Sequence, residues 1–210
     1  MEKIIHIIMH DDNATKNKLE LIMESIGGKI RFYKDEQSFI SNYTYPVTNV
    51  TQECIIKYIN NEDYLSISGI NALNNKDNII PVIIITEKPS IEICRDSFKN
   101  GAFEYFHLPL KGFELQDAIN NASDVFKRSF ERYQLFTSLS EKFKKLSNRE
   151  KEVMAMILDG NTSKEAAEKL SLSPRTVEVH RSNIYTKLKI KSLPQLVNEY
   201  SYIITYTENI

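Results

Sequence analysis

Cysteine is nearly absent from this chain, with two in 210 residues, Cys54 and Cys94. They stand far apart without Cys-x-x-Cys spacing, so the sequence has neither a structural zinc site nor a disulfide framework, and reduced core thiols are expected. Long apolar runs are missing too. Nothing approaches the roughly 18 consecutive apolar residues of a membrane span. The apolar block from Ile4 to Ile8 runs into His10-Asp11-Asp12, where a secretory leader would not place acids. The expectation is a strand of a cytoplasmic protein with no membrane contact. No Gly-rich phosphate loop occurs. The four histidines, His6, His10, His107 and His180, are dispersed, although the first three are candidates to share one sheet edge. No Cys or carboxylate cluster has metal-ligand spacing. No catalytic centre, metal or cofactor is therefore expected.

Net charge is also small, −1, which on its face argues against a nucleic-acid partner. The average conceals an asymmetry. Residues 1–137 hold 15 Lys/Arg against 19 Asp/Glu, whereas residues 138–210 hold 12 against 9. A mildly basic C-terminal part suits phosphate contact, at modest affinity per monomer and with a need to dimerise. The length suggests one large or two small domains, and 41% hydrophobic residues suffice for packed cores.

What is present concentrates near the C-terminal end. Ser173 is a good N-cap, and Pro174 suits the first helical position. In the helix that follows, Val177, Ile184 and Leu188 form one buried stripe. Glu178, Ser182, Tyr185 and Lys189 fall on a different, polar face. Upstream, Thr162 to Leu170 reads as a short helix capped by Thr162 or Ser163. Two short helices joined by a tight turn, the second polar outside, are the helix-turn-helix pattern, whose second helix can enter a major groove.

Here the residues reach a known family. Leu146-Ser147-Asn148-Arg149-Glu150-Lys151-Glu152-Val153, Gly160, Lys164 to Leu170, Ser173 to Arg181 and Lys191 to Val197 resemble the four-helix DNA-binding domain of the LuxR/FixJ class of bacterial transcription regulators. The resemblance covers roughly residues 140–205 without gaps. Two positions depart from it: Ser163 stands where the family usually has Asn, and Ala166 where it usually has Ile. The resemblance implies that Glu178, Val179 and Ser182 face the groove, with Arg181 beside them. A glutamate can accept from cytosine N4, and a valine can meet a thymine methyl. Arg175, Thr176 and Lys187 are read as phosphate contacts, with Lys164 a weaker one. His180 reads as a packing residue on the helix flank.

The first 120 residues alternate strand and helix. Ile4–Met9, Lys29–Tyr33, Cys54–Ile59, Pro81–Thr86 and Ala102–His107 read as strands, continuous and apolar as in a parallel sheet buried on both faces. Between them lie a helix capped by Asn13 and ended at Gly27-Gly28, a short one capped by Asp35 that carries Phe39 and Ile40, one through Ile70 and Leu73, and Ile91–Lys99. The polar stretch Tyr43 to Gln52 reads as a loop. Five such units predict an α/β doubly wound sheet of flavodoxin-like order.

That order resembles a receiver domain of two-component signalling. The resemblance implies a phosphorylation pocket at the strand ends. It comprises an acidic pair that holds Mg²⁺, an acceptor Asp ending the third strand, a hydroxyl ending the fourth, an aromatic on the fifth, and a Lys before Pro. Asp11 and Asp12 match the acids, Thr86 the hydroxyl and Tyr105 the aromatic. Two positions fail: Tyr58 stands at the acceptor, and Leu108, before Pro109, stands at the lysine. Without nucleophile and cation, aspartyl phosphate chemistry is not expected. Asp63, or Glu62, is the alternative acceptor, and Lys57 or Lys111 the alternative charge. Asp12 is read first as a helix cap and second, with Asp11, as a weak Mg²⁺ ligand.

No Gly or Pro interrupts Phe113 to Leu146. Its apolar residues repeat in two near-heptad series, through 115, 122, 136, 143 and through 118, 125, 139, 146. One long helix is expected, or two with a bend near Thr137-Ser138. Packing on a partner helix is favoured over packing on the chain's own domains. The resulting expectation is a receiver-like domain over 1–122, a linker helix over 123–143 and a LuxR-type helix-turn-helix domain over 144–210. The chain is read as a dimeric DNA-binding regulator independent of phosphorylation, with RNA polymerase or another regulator as a further partner. The alternatives are a phospho-switched regulator with a displaced acceptor, and an interaction protein that does not read DNA.

Overall fold

The structure, a computed structural model, describes residues 2–10, 13–24, 26–43, 51–60, 68–73 and 79–207. Along the chain run β1 (Glu2–Ile8), α1 (Asn13–Glu24), β2 (Lys29–Tyr33), α2 (Glu36–Asn42), β3 (Thr51–Ile59), α3 (Ser68–Leu73), β4 (Val82–Thr86), α4 (Ile91–Lys99), β5 (Glu104–His107), α5 (Gly112–Lys144), α6 (Asn148–Leu158), α7 (Ser163–Leu170), α8 (Pro174–Leu188) and α9 (Leu193–Thr207). The chain divides into two compact units, Met1–Glu131 and Arg132–Ile210. The division falls inside α5, a single helix of 33 residues with no break at Thr137-Ser138.

In the first unit the five strands are parallel, in the order β2-β1-β3-β4-β5. Side chains alternate between two buried faces, which is why the strands read as continuous apolar runs. On one face Ile5, Ile7, Ile56, Ile83 and Ile85 pack with Leu19 and Met23 of α1 and Leu115 and Ile119 of α5. On the other, Ile8, Ile55, Ile59 and Ile84 meet Phe39, Ile70 and Leu73. Helices on both faces of a parallel sheet make the doubly wound fold. Asp35 caps α2 by accepting from the Ser38 backbone N–H at 2.6 Å.

Several boundaries differ from expectation. The helix α1 begins at Asn13 itself rather than after it. The third strand starts at Thr51, so Thr51 and Gln52 belong to the sheet rather than to a loop. The cause is a buried polar cluster that a hydropathy pattern does not reveal. Glu53 is 3% exposed. Its carboxylate meets His6 Nε2 at 3.2 Å and accepts from Tyr43 Oη at 2.9 Å and Thr51 Oγ1 at 2.8 Å. Burial pushes the Glu53 pKa up, but these hydrogen bonds outweigh it and hold the group below its ordinary value. His6 is thus buried on an interior strand, while His107 ends the edge strand β5 in solvent. The histidines do not share one sheet edge. Cys54 is a buried free thiol, its pKa pushed up to about 12 by burial, and Cys94 is free and half-buried on α4. Asp11, Asp12, Glu62 and Asp63 lie outside the described residues.

The second unit is helical. Leu139 and Phe143 from the end of α5 join Leu146, Val153, Met154, Ile157, Val177, Ile184, Leu188, Leu196 and Tyr200 in one core. This corrects the expectation for the linker. Leu115, Ala118 and Ala122 are buried in the sheet core, Phe126 and Phe130 stack in the opposite one, and Leu139 and Phe143 belong to the helical core. Because the chain's own units cover this stripe, it does not by itself require a partner helix. Among the described residues no helix is long and apolar enough to cross a membrane.

Tyr200 gives a stability prediction. It is fully buried, and its hydroxyl has no hydrogen-bond partner among the described residues. Burial, with Glu199 beside it, pushes the phenol up to about 12. An unmatched buried hydroxyl costs roughly 1–3 kcal/mol. Tyr200→Phe is therefore expected to stabilise the second unit by about 1 kcal/mol, read as a higher denaturation midpoint of the full chain.

Candidate nucleic-acid interface and receiver pocket

Three N-caps build the helical unit. Ser147 and Glu150 form a capping box on α6, and Thr162 and Glu165 form one on α7. Thr162, not Ser163, is therefore the cap of α7. Ser171 closes α7 in the left-handed region at φ 55° and turns the chain back. The buried Ala166 and Ala167 let α7 and α8 approach closely. Ser173 then caps α8, accepting from the Thr176 N–H at 3.0 Å, with Pro174 at the first helical position.

On α8, Val177, Ile184 and Leu188 point into the core. The opposite face carries Arg175, Glu178, Val179, Ser182, Asn183 and Thr186, all exposed. Val179 is 54% exposed. It stands as a branched apolar side chain in a polar field, where folding gains little from it. Asn183 follows Val179 by one helical turn, yet the sequence reading passed over it. The cue was the i+4 spacing, since an asparagine there can address an adenine edge.

Other expected contacts sit differently. Tyr185 is half-buried against the core, with the Arg181 guanidinium 5.6 Å over its ring. Lys189 is the left-handed C-cap of α8 rather than part of its polar face. The Thr176 hydroxyl lies 2.7 Å from the Ser173 hydroxyl, inside the cap. Lys164 is exposed on α7, and His180 is half-buried with its Nδ1 buried. Lys187 donates to Glu150 Oε2 at 2.7 Å, an ion pair from α8 to α6. The Lys187 side chain is still 41% exposed, so the same ammonium group can face both Glu150 and solvent. No sequence spacing pointed to this partner, 37 residues away.

Burial raises the Glu150 pKa, but Lys187 and the Ser147 N–H and hydroxyl together draw it below its ordinary 4.5. The stabilisation is therefore full above the unfolded carboxylate value. It is lost as pH falls through the lower folded one. Glu150→Gln is expected to flatten this acid-side loss and to lower stability at neutral pH. Hydrogen exchange of α6 and α8 in the full chain measures both.

At the C-terminal ends of the strands the receiver positions come together only in part. Tyr58 pairs in register with Ile85, Ile59 with Thr86, and Thr86 with His107. Thr86 is buried. Tyr105, paired with Ile84 two positions before the end of the β4–β5 ladder, is half-buried, and desolvation with the nearby Cys94 thiol raises its phenol pKa. Tyr58 is 6% exposed, and it belongs to the same apolar cluster against which Leu108 packs. Tyr58 and Leu108 thus lie in and against the apolar core of the first unit. The alternative cations are engaged elsewhere. Buried Lys57 forms an ion pair with Glu36 of α2, and Gly69 of α3 leaves room for that carboxylate, which a Cβ there would strike. Lys111 is exposed, 3.7 Å from Glu114.

The comparisons agree with this geometry. Residues 144–199 match the family described as bacterial regulatory proteins, luxR family. The response regulator protein TmoT of Ectopseudomonas mendocina is 28% identical over 196 residues, covering 93% of this chain and 87% of TmoT. The transcriptional regulatory protein FixJ of Rhizobium meliloti is 26% identical over 196 residues, with 92% of each chain covered. Over most of its length the chain is thus similar to response regulators of the LuxR/FixJ type. Its fold is also that of the response regulator StyR, with a TM-score of 0.69 and 23% identity over 94% of this chain and 98% of the other. The chain joins a parallel five-stranded unit of receiver fold through α5 to a helical unit that matches the luxR family.

Proposed function

We propose that this regulator reads a two-fold DNA site as a homodimer in the cytoplasm, and that it does so without aspartyl phosphorylation. Residues 1–122 serve as a receiver-like domain, 123–143 as the linker helix and 144–210 as the DNA-binding domain. The observation that carries the DNA reading is Val179, exposed at the centre of the outward face of α8. Around it Glu178, Ser182 and Asn183 address base edges, with Arg181 beside them. Arg175 and Lys164 meet phosphates, and the capped N-terminus of α8 adds its positive end. The phosphorylation reading rests on Tyr58 and Leu108, both held in an apolar cluster.

The test is a footprint on duplexes selected from a random pool by the purified chain. Two protected half-sites roughly 34 Å apart would support the dimer on DNA. A chain that enriches no sequence would favour an interaction protein. RNA polymerase or another regulator is sought by co-purification, on the selected duplex where one is enriched and on the chain alone where none is.

A further inference from the structure

The carboxylate of Glu178 projects from the outward face of α8, yet it is not free to sweep. Its Oε1 accepts a hydrogen bond from the Ser163 hydroxyl, fifteen residues earlier on α7. The same oxygen lies 3.9 Å from Arg181 Nη1. Ser163 is itself well placed for this. It is the first residue of α7, directly after a cap in which Thr162 and Glu165 hold each other, the Thr162 N–H donating to Glu165 Oε2 at 2.8 Å. The buried Ala166 and Ala167 fix α7 against α8. The donor therefore stands on rigid backbone, and the acceptor is the long, exposed side chain that needs orienting.

We propose that Ser163 is a positioning residue that sets the base preference of the regulator by holding the Glu178 carboxylate in one orientation. The inference rests on the reading of α8 as the groove helix. With Oε1 taken by Ser163 and Arg181, Oε2 is left as the acceptor for a base-edge amino group. In the major groove that selects the amino donors, cytosine N4 and adenine N6, over groups that present only acceptors, and a fixed orientation favours the one within its reach. A carboxylate swinging through its rotamers would accept from more than one neighbouring base pair and discriminate among them less. Because donor and acceptor both lie at the surface, the bond adds little to folding. Its loss should appear in specificity rather than in stability.

The experiment compares the full-length wild type with Ser163→Ala, Ser163→Thr and Glu178→Ala. Duplexes selected by the wild type are varied one base pair at a time, at two salt concentrations, and thermal unfolding is followed in parallel. Glu178→Ala identifies the base pair that Glu178 reads. At that pair Ser163→Ala is expected to lose discrimination by roughly 3- to 10-fold, while Ser163→Thr keeps it. Other positions, the salt slope and the unfolding midpoint stay unchanged. The proposal is overturned if Ser163→Ala discriminates at that pair like the wild type. It is also overturned if Ser163→Ala weakens every sequence equally with a shallower salt slope, which would make Ser163 a phosphate contact. If Glu178→Ala changes no base preference, the groove assignment of Glu178 fails and takes this proposal with it.

Discussion

Replacing Tyr58 by Asp is expected to destabilise the first unit by about 3–5 kcal/mol and to leave the regulator unphosphorylated. The substitution restores the receiver acceptor by name only. Tyr58 is 6% exposed in a cluster with Met9, Ile56, Ile83 and Ile85. Cutting it back leaves a cavity, and the new carboxylate enters an apolar site that favours its protonated form. A charge needs a partner there. Leu108 supplies none, Lys57 is engaged by Glu36, and Lys111 sits in solvent beside Glu114. The measurement is a denaturation midpoint together with phosphate incorporation from a small phosphodonor and Mg²⁺. Stoichiometric, acid-stable and base-labile phosphate on the Tyr58→Asp chain would show that the pocket keeps its chemistry and lacks only its acceptor.

Val179→Glu is expected to lower specific DNA affinity by about 100-fold, at the upper end of what one base contact contributes. Val179 gives folding little because over half of it faces solvent. The unfolding midpoint should thus stay within the range of ordinary surface changes, about 0.5 kcal/mol. The glutamate both removes a methyl contact and brings a charge toward phosphates. Binding on selected duplexes and thermal unfolding of the same samples separate the two effects. An unchanged affinity would remove α8 from the groove.

The sheet was legible because strands buried on both faces leave unbroken Ile and Val runs, as in Val82–Thr86. The helix α8 was legible because Ser173-Pro174 is a local cap signal that depends on no distant partner. What the sequence left unread often involves polar groups whose partners are far along the chain. Thr51 and Gln52 read as loop and are strand, because the neighbouring Glu53 carboxylate is satisfied in the core by His6, Tyr43 and Thr51. Lys187 carries an ion pair to Glu150 that no sequence spacing showed. Lys189 continued the helical period on paper, but the left-handed cap removes it from the face. The linker stripe had the right period, yet period alone does not say whether a partner or the chain's own cores will cover it.

The central claim is that this regulator binds its DNA site with no phosphoryl signal. The most direct measurement is the affinity of the purified, untreated chain for selected duplexes, at two salt concentrations, with and without Mg²⁺ and a small-molecule phosphodonor. Specific, salt-sensitive binding that is the same in every donor condition is expected. Binding that appears only after donor and Mg²⁺ are added would contradict it. That result would place an acceptor elsewhere in the chain, with Asp63 the first residue to replace by Asn.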